Sequence, residues 1–153
     1  MPDKIYDGFT IEDMIAFMQS IGLRAARGDD TGRVIHSSAA GWRFAVFLNR
    51  PNAENHFANV QFYASHNDRT FTVGEANDWN NNTRFANARY DRDGYPVVEY
   101  DFFIKGVTEA YLTDVFNMWE ILMARFMDSI GKDGGRTFVR AAAPAISGDH
   151  RGG

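Results

Sequence analysis

Residues 72–103, TVGEANDWNNNTRFANARYDRDGYPVVEYDFF, predict a short helix, a strand, a tight turn and a second strand. Thr72 and Glu75 have the spacing of a capping box, which satisfies free amide groups at the start of a helix. The three asparagines at 80–82 favour the end of that helix, because asparagine is a poor residue for a helix interior. Residues 91–94, Asp-Arg-Asp-Gly, have turn chemistry, and the glycine can adopt a positive φ. This stretch therefore predicts a helix that leads into a β-hairpin.

The rest of the chain continues this alternation of helices and strands. Apolar residues recur every three or four positions in the helical segments and every second position in the strands. Hairpin connections make neighbouring strands antiparallel. We therefore expect an α+β fold, with an antiparallel sheet of about five strands in α-β-β-β-α-β-β-α order and helices mainly on one face. The predicted helices cover residues 11–21, 72–82 and 109–130, and the predicted strands cover 33–38, 42–49, 60–64, 84–90 and 95–104.

Length and composition indicate one domain with a substantial core. The chain has 153 residues, of which 13 are Phe and 3 are Trp, and a chain of this size can bury a core without cross-links. We expect this domain to cover residues 9–130. Residues 1–9 are expected to be loose, and the Gly- and Ala-rich residues 131–153 are expected to form a disordered tail.

Several functional classes conflict with the composition. The chain has no cysteine, which excludes disulfides and thiolate chemistry. Its net charge of −4 disfavours nucleic-acid binding, which depends on clustered Lys and Arg. No apolar run approaches the ~20 residues of a membrane span, and the first residues lack the pattern of a signal peptide. We therefore expect a cytoplasmic protein without a nucleic-acid or membrane partner.

The sequence offers no metal-binding pattern. His36, His56 and His66 are the residues that could bind zinc, but they are 20 and 10 positions apart and on different predicted elements. Zinc sites normally contain closely spaced ligand pairs. We therefore predict neither a metal site nor a cofactor.

Paired carboxylates on one strand are the remaining candidate for catalysis. Glu99 and Asp101 point to the same side of a predicted strand, and such pairs can act as acid and base. If the preceding turn holds four residues, Arg84 lies opposite Asp101 and forms a cross-strand ion pair on a solvated face. No nucleophile lies beside a base, so we predict no catalytic residue and no enzymatic activity.

Aromatic residues are the best candidates for partner binding. Trp42 and Phe44 lie on one face of a predicted strand and Phe47 lies on the other, so this strand is central in the sheet or lies beneath a partner. The apolar stripe of the predicted helix 109–130 is wider than one sheet face requires, which predicts a homodimer. The residues that we predict to contact a partner are Trp42, Phe44, Phe47, Trp79, Trp119 and Phe126.

Asn77, Trp79 and Asn80 form the strongest local pattern. They could be a polar-rimmed aromatic anchor for a partner. Alternatively, Trp79 fills the space between the short helix and the sheet while the asparagines hold the helix end and the next strand. The structural interpretation is favoured, because consecutive asparagines suit the end of a helix. With Glu75 and Arg84, these residues form the predicted structural motif.

The sequence resembles the YbjN family, described as "putative bacterial sensory transduction regulator". The resemblance rests on EANDWN at 75–80, RFANA at 84–88, the turn at 91–94 and VVEYD at 97–101, and it covers about residues 9–130. It implies a fold similar to that of type III secretion chaperones, which bind extended segments of other proteins, often as homodimers. The family has no agreed catalytic residues, so the resemblance implies none here.

Two functional hypotheses follow from these observations. The first is a non-enzymatic regulatory or chaperone-like domain that binds another protein along an exposed strand edge or an apolar sheet face. The second is a small-molecule-sensing domain with a pocket between the C-terminal helix and the sheet.

Overall fold

The computed structural model describes residues 4–131, and residues 132–153 of the predicted tail lie outside the described residues. The elements alternate as expected, with three helices among the described residues. They are, in chain order, β1 (Ile5–Asp7), α1 (Ile11–Ser20), β2 (Ala26–Arg27), β3 (Val34–Ala39), β4 (Trp42–Pro51), β5 (Phe57–Ser65), α2 (Val73–Asn82), β6 (Asn87–Tyr90), β7 (Pro96–Phe103), β8 (Lys105–Thr108) and α3 (Glu109–Ile130).

Six of these strands form an antiparallel sheet in the spatial order β2-β3-β4-β5-β7-β6. This confirms the predicted α+β class and the antiparallel sheet. The five predicted strands correspond to β3, β4, β5, β6 and β7. The strand predicted over 84–90 begins only at Asn87, and the strand predicted over 60–64 is longer and spans Phe57–Ser65.

Three short strands differ from the sequence prediction. β1 pairs with β8 in a separate two-stranded sheet, with Ile5 opposite Thr108, so the expectation that residues 1–9 are loose is wrong for Ile5–Asp7. β2 contains only two residues, Ala26–Arg27, and adds an edge to β3. Strands this short carry too few residues for a period-two pattern, and β1 finds its partner about a hundred positions away.

A threonine starts each helix in the expected way. Thr10 accepts a hydrogen bond from the backbone of Asp13, and Thr72 accepts one from the backbone of Glu75, with a full capping box at both sites. Thr108 caps α3 by accepting from the amide of the third helical residue. These local interactions fix where the helices begin, which explains why the predicted starts are accurate.

The turn between β6 and β7 is one residue longer than the predicted ion pair requires. Tyr90 pairs with Pro96, so five residues separate the strands. The predicted pair between Arg84 and Asp101 is therefore wrong, since Arg84 lies before β6 and places its guanidinium over the Phe85 ring.

An ion pair does form across this hairpin, between different residues. Arg89 Nε donates to Glu99 Oε2 over 2.6 Å, and Gln61 Nε2 donates to Glu99 Oε1 over 3.1 Å. Both carboxylate oxygens of Glu99 therefore accept hydrogen bonds on the sheet face opposite the helices. This arrangement indicates a structural role for Glu99.

The main core lies between the sheet and the helices. Phe62 of β5 lies at its centre, with ring centroids 4.8 Å from Phe116, 5.2 Å from Trp119 and 5.1 Å from Phe102. Strand β4 is buried on both faces and lies between β3 and β5, so of the two alternatives for this strand the central position is the one observed. Trp42, Phe44, Val46 and Leu48 join this core, whereas Ala45 and Phe47 pack with Val34, Tyr63 and Val97 on the other face.

Two phenylalanines on adjacent strands allow a test of this core. We expect Phe62→Ala to lower the free energy of unfolding by about 3–5 kcal/mol, because it leaves a cavity among packed rings. Phe103→Ala is the matched control, since that side chain is 65% exposed and should change stability by less than about 0.5 kcal/mol. Urea unfolding measures both, and similar losses would contradict this description of the core.

Candidate functional site

Helix α2 lies against β6, at one of the two edges of the six-stranded sheet. β6 is an edge strand, and the side-chain amide of Asn80 pairs with its backbone at Ala88 as another strand would. Asn80 Nδ2 donates to Ala88 O over 3.0 Å, and Asn80 Oδ1 accepts from Ala88 N over 2.8 Å. An unpaired edge is a template for pairing with other chains. At Ala88 the edge is therefore occupied from within the chain.

Trp79 anchors the same helix beside this contact. Its indole Nε1 donates to Ala86 O over 3.0 Å, and its ring meets Phe126 of α3 edge-on with a centroid distance of 5.1 Å. Trp79 is buried, while Asn77 is exposed. Trp79 and Asn80 thus both hold α2 against β6, and the assignment of a structural role to the whole motif stays a prediction.

Arg69 connects the start of α2 to the end of α3. Its guanidinium forms an ion pair with Glu75 and donates to the backbone carbonyl of Ile130. Burial raises the pKa of Glu75, but hydrogen bonds from Arg69 and Thr72 outweigh this and lower the pKa overall. Glu75 therefore favours its ionised form in the folded chain. No local sequence pattern marks Arg69, because its partners lie on two separate elements.

A cleft of about 480 Å³ lies between α2 and the C-terminal end of α3. Its lining combines buried apolar side chains with charged and polar groups at the rim. The lining residues are Phe71, Glu75, Asp78, Trp79, Asn82, Thr83, Arg125, Ser129 and Ile130.

Three partly exposed aromatic residues form a second surface, where the chain enters β6. Phe85 is 54% exposed and lies against Tyr100, with a centroid distance of 6.2 Å. Burial raises the pKa of Tyr100, and its neighbour Tyr111, itself 44% exposed, raises it further. Phe85, Tyr100 and Tyr111 are called the aromatic patch below. Arg84 lies beside it, with its guanidinium 5.3 Å from the Phe85 centroid.

The backbone at the aromatic patch is unusual. Phe85 has a φ of +76°, and Ala86 N donates to Arg84 O over 3.0 Å, so Phe85 is the central residue of a γ-turn. A bulky residue rarely adopts a positive φ. The sequence analysis missed this site because Phe85 reads as an ordinary strand residue.

Comparison with protein families matches residues 10–132 to the YbjN family model, described as "Putative bacterial sensory transduction regulator". The chain belongs to the YbjN family. The match includes α1, α2 and α3 and the entire six-stranded sheet. No curated protein matches the chain.

In this YbjN-family chain, the six residues predicted to contact a partner all lie in the interior. Trp42, Phe44, Phe47, Trp79, Trp119 and Phe126 are each at most 7% exposed. Their role in partner binding stays a prediction, and the described fold does not present their side chains at the surface. The accessible aromatic groups include instead Phe85 and Tyr111.

The chemistry of the described YbjN-family fold is limited. Residues 4–131 contain no group of three or more His, Cys, Asp or Glu side chains that could hold a metal ion. Burial lowers the pKa of His36 and of His66, which favours their neutral forms. None of the described helices has the length and apolar character needed to cross a membrane.

The two hydrogen bonds between the Asn80 side chain and the backbone of Ala88, called the β6 seal below, can be tested with two neighbouring asparagines. We expect Asn80→Ala to lower the free energy of unfolding by about 1–3 kcal/mol, because both backbone groups of Ala88 lose their partner. Asn81→Ala has the same effect on helix propensity but leaves the seal intact, so it should not destabilise the chain. Urea unfolding measures the stability of both variants, and equal stability of the two would refute the seal.

The pKa of Glu75 predicts how stability depends on pH. Because its folded pKa lies below the ordinary value of 4.5, its contribution is present above that value and is lost as the pH falls through the folded pKa. Glu75→Gln keeps a capping side chain but removes the charge. We expect it to cost about 0.5–1 kcal/mol near pH 7, a modest amount because solvent screens this partly exposed pair, and nothing in strong acid.

A chemical denaturation series across pH measures this difference. Asp114→Asn removes an exposed carboxylate from α3 and serves as the control. A loss in Glu75→Gln that stays constant from neutral to acidic pH would contradict the role of the charge.

Proposed function

We propose that this chain is a non-enzymatic regulatory domain that binds a segment of another protein at the aromatic patch. The observation that carries the proposal is the γ-turn at Phe85, which holds a large aromatic ring in solvent. The regulatory role of the YbjN family supports the same class of function. The likeness to type III secretion chaperones stays a prediction.

Backbone strain makes the position of Phe85 informative. A residue in such a conformation costs about 1–3 kcal/mol, and residues of this kind cluster at functional sites. The strained conformation of Phe85 does not serve to bury the ring, since more than half of the side chain is exposed. Glycine would adopt this φ without strain. An exposed phenylalanine at this position therefore favours recognition over stability.

The chemistry of the patch indicates the kind of segment that it binds. Aromatic residues and arginine are enriched where partner proteins are bound most tightly. The rings of Phe85, Tyr100 and Tyr111 offer contacts for apolar side chains, and Arg84 offers a cation beside them. We therefore expect a peptide with apolar side chains next to an acidic residue.

Homodimer formation is a separate proposal, and the structure gives it a weaker basis than the sequence pattern did. The apolar stripe on α3 that motivated this proposal packs against the core of the same chain, and nine residues of α3 are buried there. On α3, Tyr111 and Ile121 are the large hydrophobic side chains that are exposed. Light scattering of the full chain tests this proposal, and a mass of 17.3 kDa at all concentrations would exclude it.

Peptide selection tests the proposed function directly. A library of displayed random peptides is selected on the immobilised full chain, and synthetic copies are then measured against variants. We expect the selected peptides to bind the Phe85→Gly variant about tenfold more weakly, because this variant lacks the most exposed ring of the aromatic patch. Phe103→Ala, which removes an exposed ring on the other side of β7, should bind normally. A failure to select peptides, or equal binding to Phe85→Gly, would overturn the proposal.

The strain itself predicts an unusual ranking of two variants. Phe85→Ala and Phe85→Gly both remove the ring, but only glycine accepts a φ of +76° without strain. We expect Phe85→Gly to be more stable than Phe85→Ala by about 1 kcal/mol in urea unfolding. A more stable alanine variant would show that the γ-turn does not persist in solution.

Small-molecule sensing is the second candidate function. The α2–α3 cleft favours it, because about 480 Å³ falls within the usual range for ligand pockets. This cleft lies between α3 and α2 and differs in place from the pocket predicted between the C-terminal helix and the sheet, where Phe62 and Trp119 fill the space. A thermal-shift screen of metabolites tests this function, since a ligand of the folded state raises the melting temperature.

A further inference from the structure

We propose that the α2–α3 cleft binds a small zwitterion with an apolar side chain, an amino acid or a dipeptide, whose ammonium group pairs with Asp78 and whose carboxylate pairs with Arg125. This proposal rests on small-molecule sensing, the second candidate function, and names the class of ligand for it. It concerns a different surface from the aromatic patch and does not depend on peptide binding there.

The two charged groups lie on opposite walls of the cleft. On α2, the lining residues Glu75, Asp78 and Asn82 have the spacing of one helix face. On α3, the lining residues Arg125 and Ser129 are four positions apart and share a face as well. A ligand that fills the cleft therefore meets a carboxylate on one wall and a guanidinium on the other.

Asp78 and Arg125 are both available to a ligand. Both residues are exposed, and among residues 4–131 neither forms an ion pair, with the other or with a third side chain. Glu75 also lines the cleft, but it is paired with Arg69, which in turn donates to the carbonyl of Ile130. The cleft thus offers a ligand one negative and one positive group.

The end of α2 adds to the site for the ammonium group. This helix ends at Asn82 without a basic residue in its last turn, so the negative end of its dipole lies at this wall. The side-chain oxygen of Asn82 is a second acceptor there, because its Nδ2 already donates to Asp78 O over 2.8 Å. An ammonium group has three N–H donors and can use more than one acceptor.

The rest of the lining favours a ligand with an apolar side chain. Phe71, Trp79 and Ile130 form the apolar part of the cleft, and an apolar side chain placed against them leaves water, which favours binding. The volume of about 480 Å³ lies in the lower half of the range for ligand pockets. This volume suits a compact molecule such as an amino acid or a dipeptide.

The two opposite charges favour a zwitterion over a ligand with one charge. A ligand that fills the cleft displaces water from both walls. An amine would pair with Asp78 but leave Arg125 without water or a partner, and a carboxylic acid would do the reverse. A charged group left in this state weakens binding. A zwitterion pairs with both groups.

Calorimetric titration of the full chain with matched ligands tests the proposal. L-leucine carries both charges, N-acetyl-L-leucine lacks the ammonium group, and L-leucinamide lacks the carboxylate. We expect each derivative to bind about tenfold more weakly than leucine, because one charge-assisted hydrogen bond is lost. The dipeptide Leu-Leu is the second zwitterion, and the tighter of the two identifies the source of the ligand as free amino acid or short peptide.

Two substitutions at exposed positions connect each ligand charge to one residue. Asp78→Asn should lose the preference for leucine over N-acetyl-leucine and keep the preference over leucinamide, and Arg125→Gln should show the reverse pattern. Asp114→Asn and Arg24→Gln remove exposed charges that do not line the cleft, so both preferences should persist in these controls.

The proposal is overturned if neither leucine nor Leu-Leu binds, if the three leucine compounds bind equally, or if a preference persists in the variant that should lose it. The failure of this ligand class is distinguishable from the failure of small-molecule sensing. A hit in the metabolite screen that lacks one of the charges would retain sensing and refute the zwitterion, whereas a screen without any hit would refute both.

Discussion

The side-chain amide of Asn80 occupies the hydrogen-bonding edge of β6, and the arrangement of α2, β6 and α3 depends on this contact. Trp79 reinforces it from the preceding position, through Ala86 on one side and the ring of Phe126 on the other. A helix side chain thereby makes, at Ala88, the two backbone hydrogen bonds that a neighbouring strand would make. The same helix is tied to the end of α3 through Arg69, so it joins the two layers of the fold.

This seal also explains the two surfaces that we propose for binding. Four residues connect α2 to β6, and the hydrogen bonds to Ala86 and Ala88 fix the strand close to the helix. A connection held at both ends must turn sharply, and the γ-turn at Phe85 makes that turn and directs the ring outward. On its other side, α2 meets the end of α3 and encloses the cleft. The two surfaces thus flank one structural element.

Much of this fold follows from local chemistry that can be read in the residues themselves. Thr72 with Glu75 specifies a helix start, because the groups that satisfy each other are three positions apart. The turn at Ala40 and Gly41 closes the β3–β4 hairpin for an equally local reason, with positive φ values at both positions. The two-sided apolar pattern of β4 likewise predicted a strand that is central in the sheet or lies beneath a partner, and in the structure β4 is a central strand.

What the sequence by itself determined was the identity and order of the main elements, because caps, turns and periodic faces depend on residues only a few positions apart. The tertiary structure alone decided the pairing of β1 with β8, the one-residue longer turn that joins Arg89 rather than Arg84 to a carboxylate, and the clamp made by Arg69. It also decided which aromatic rings are exposed, since Phe85 carries no sign of its γ-turn in its residue type. These features depend on contacts between distant segments, whose geometry is set only when the layers pack together.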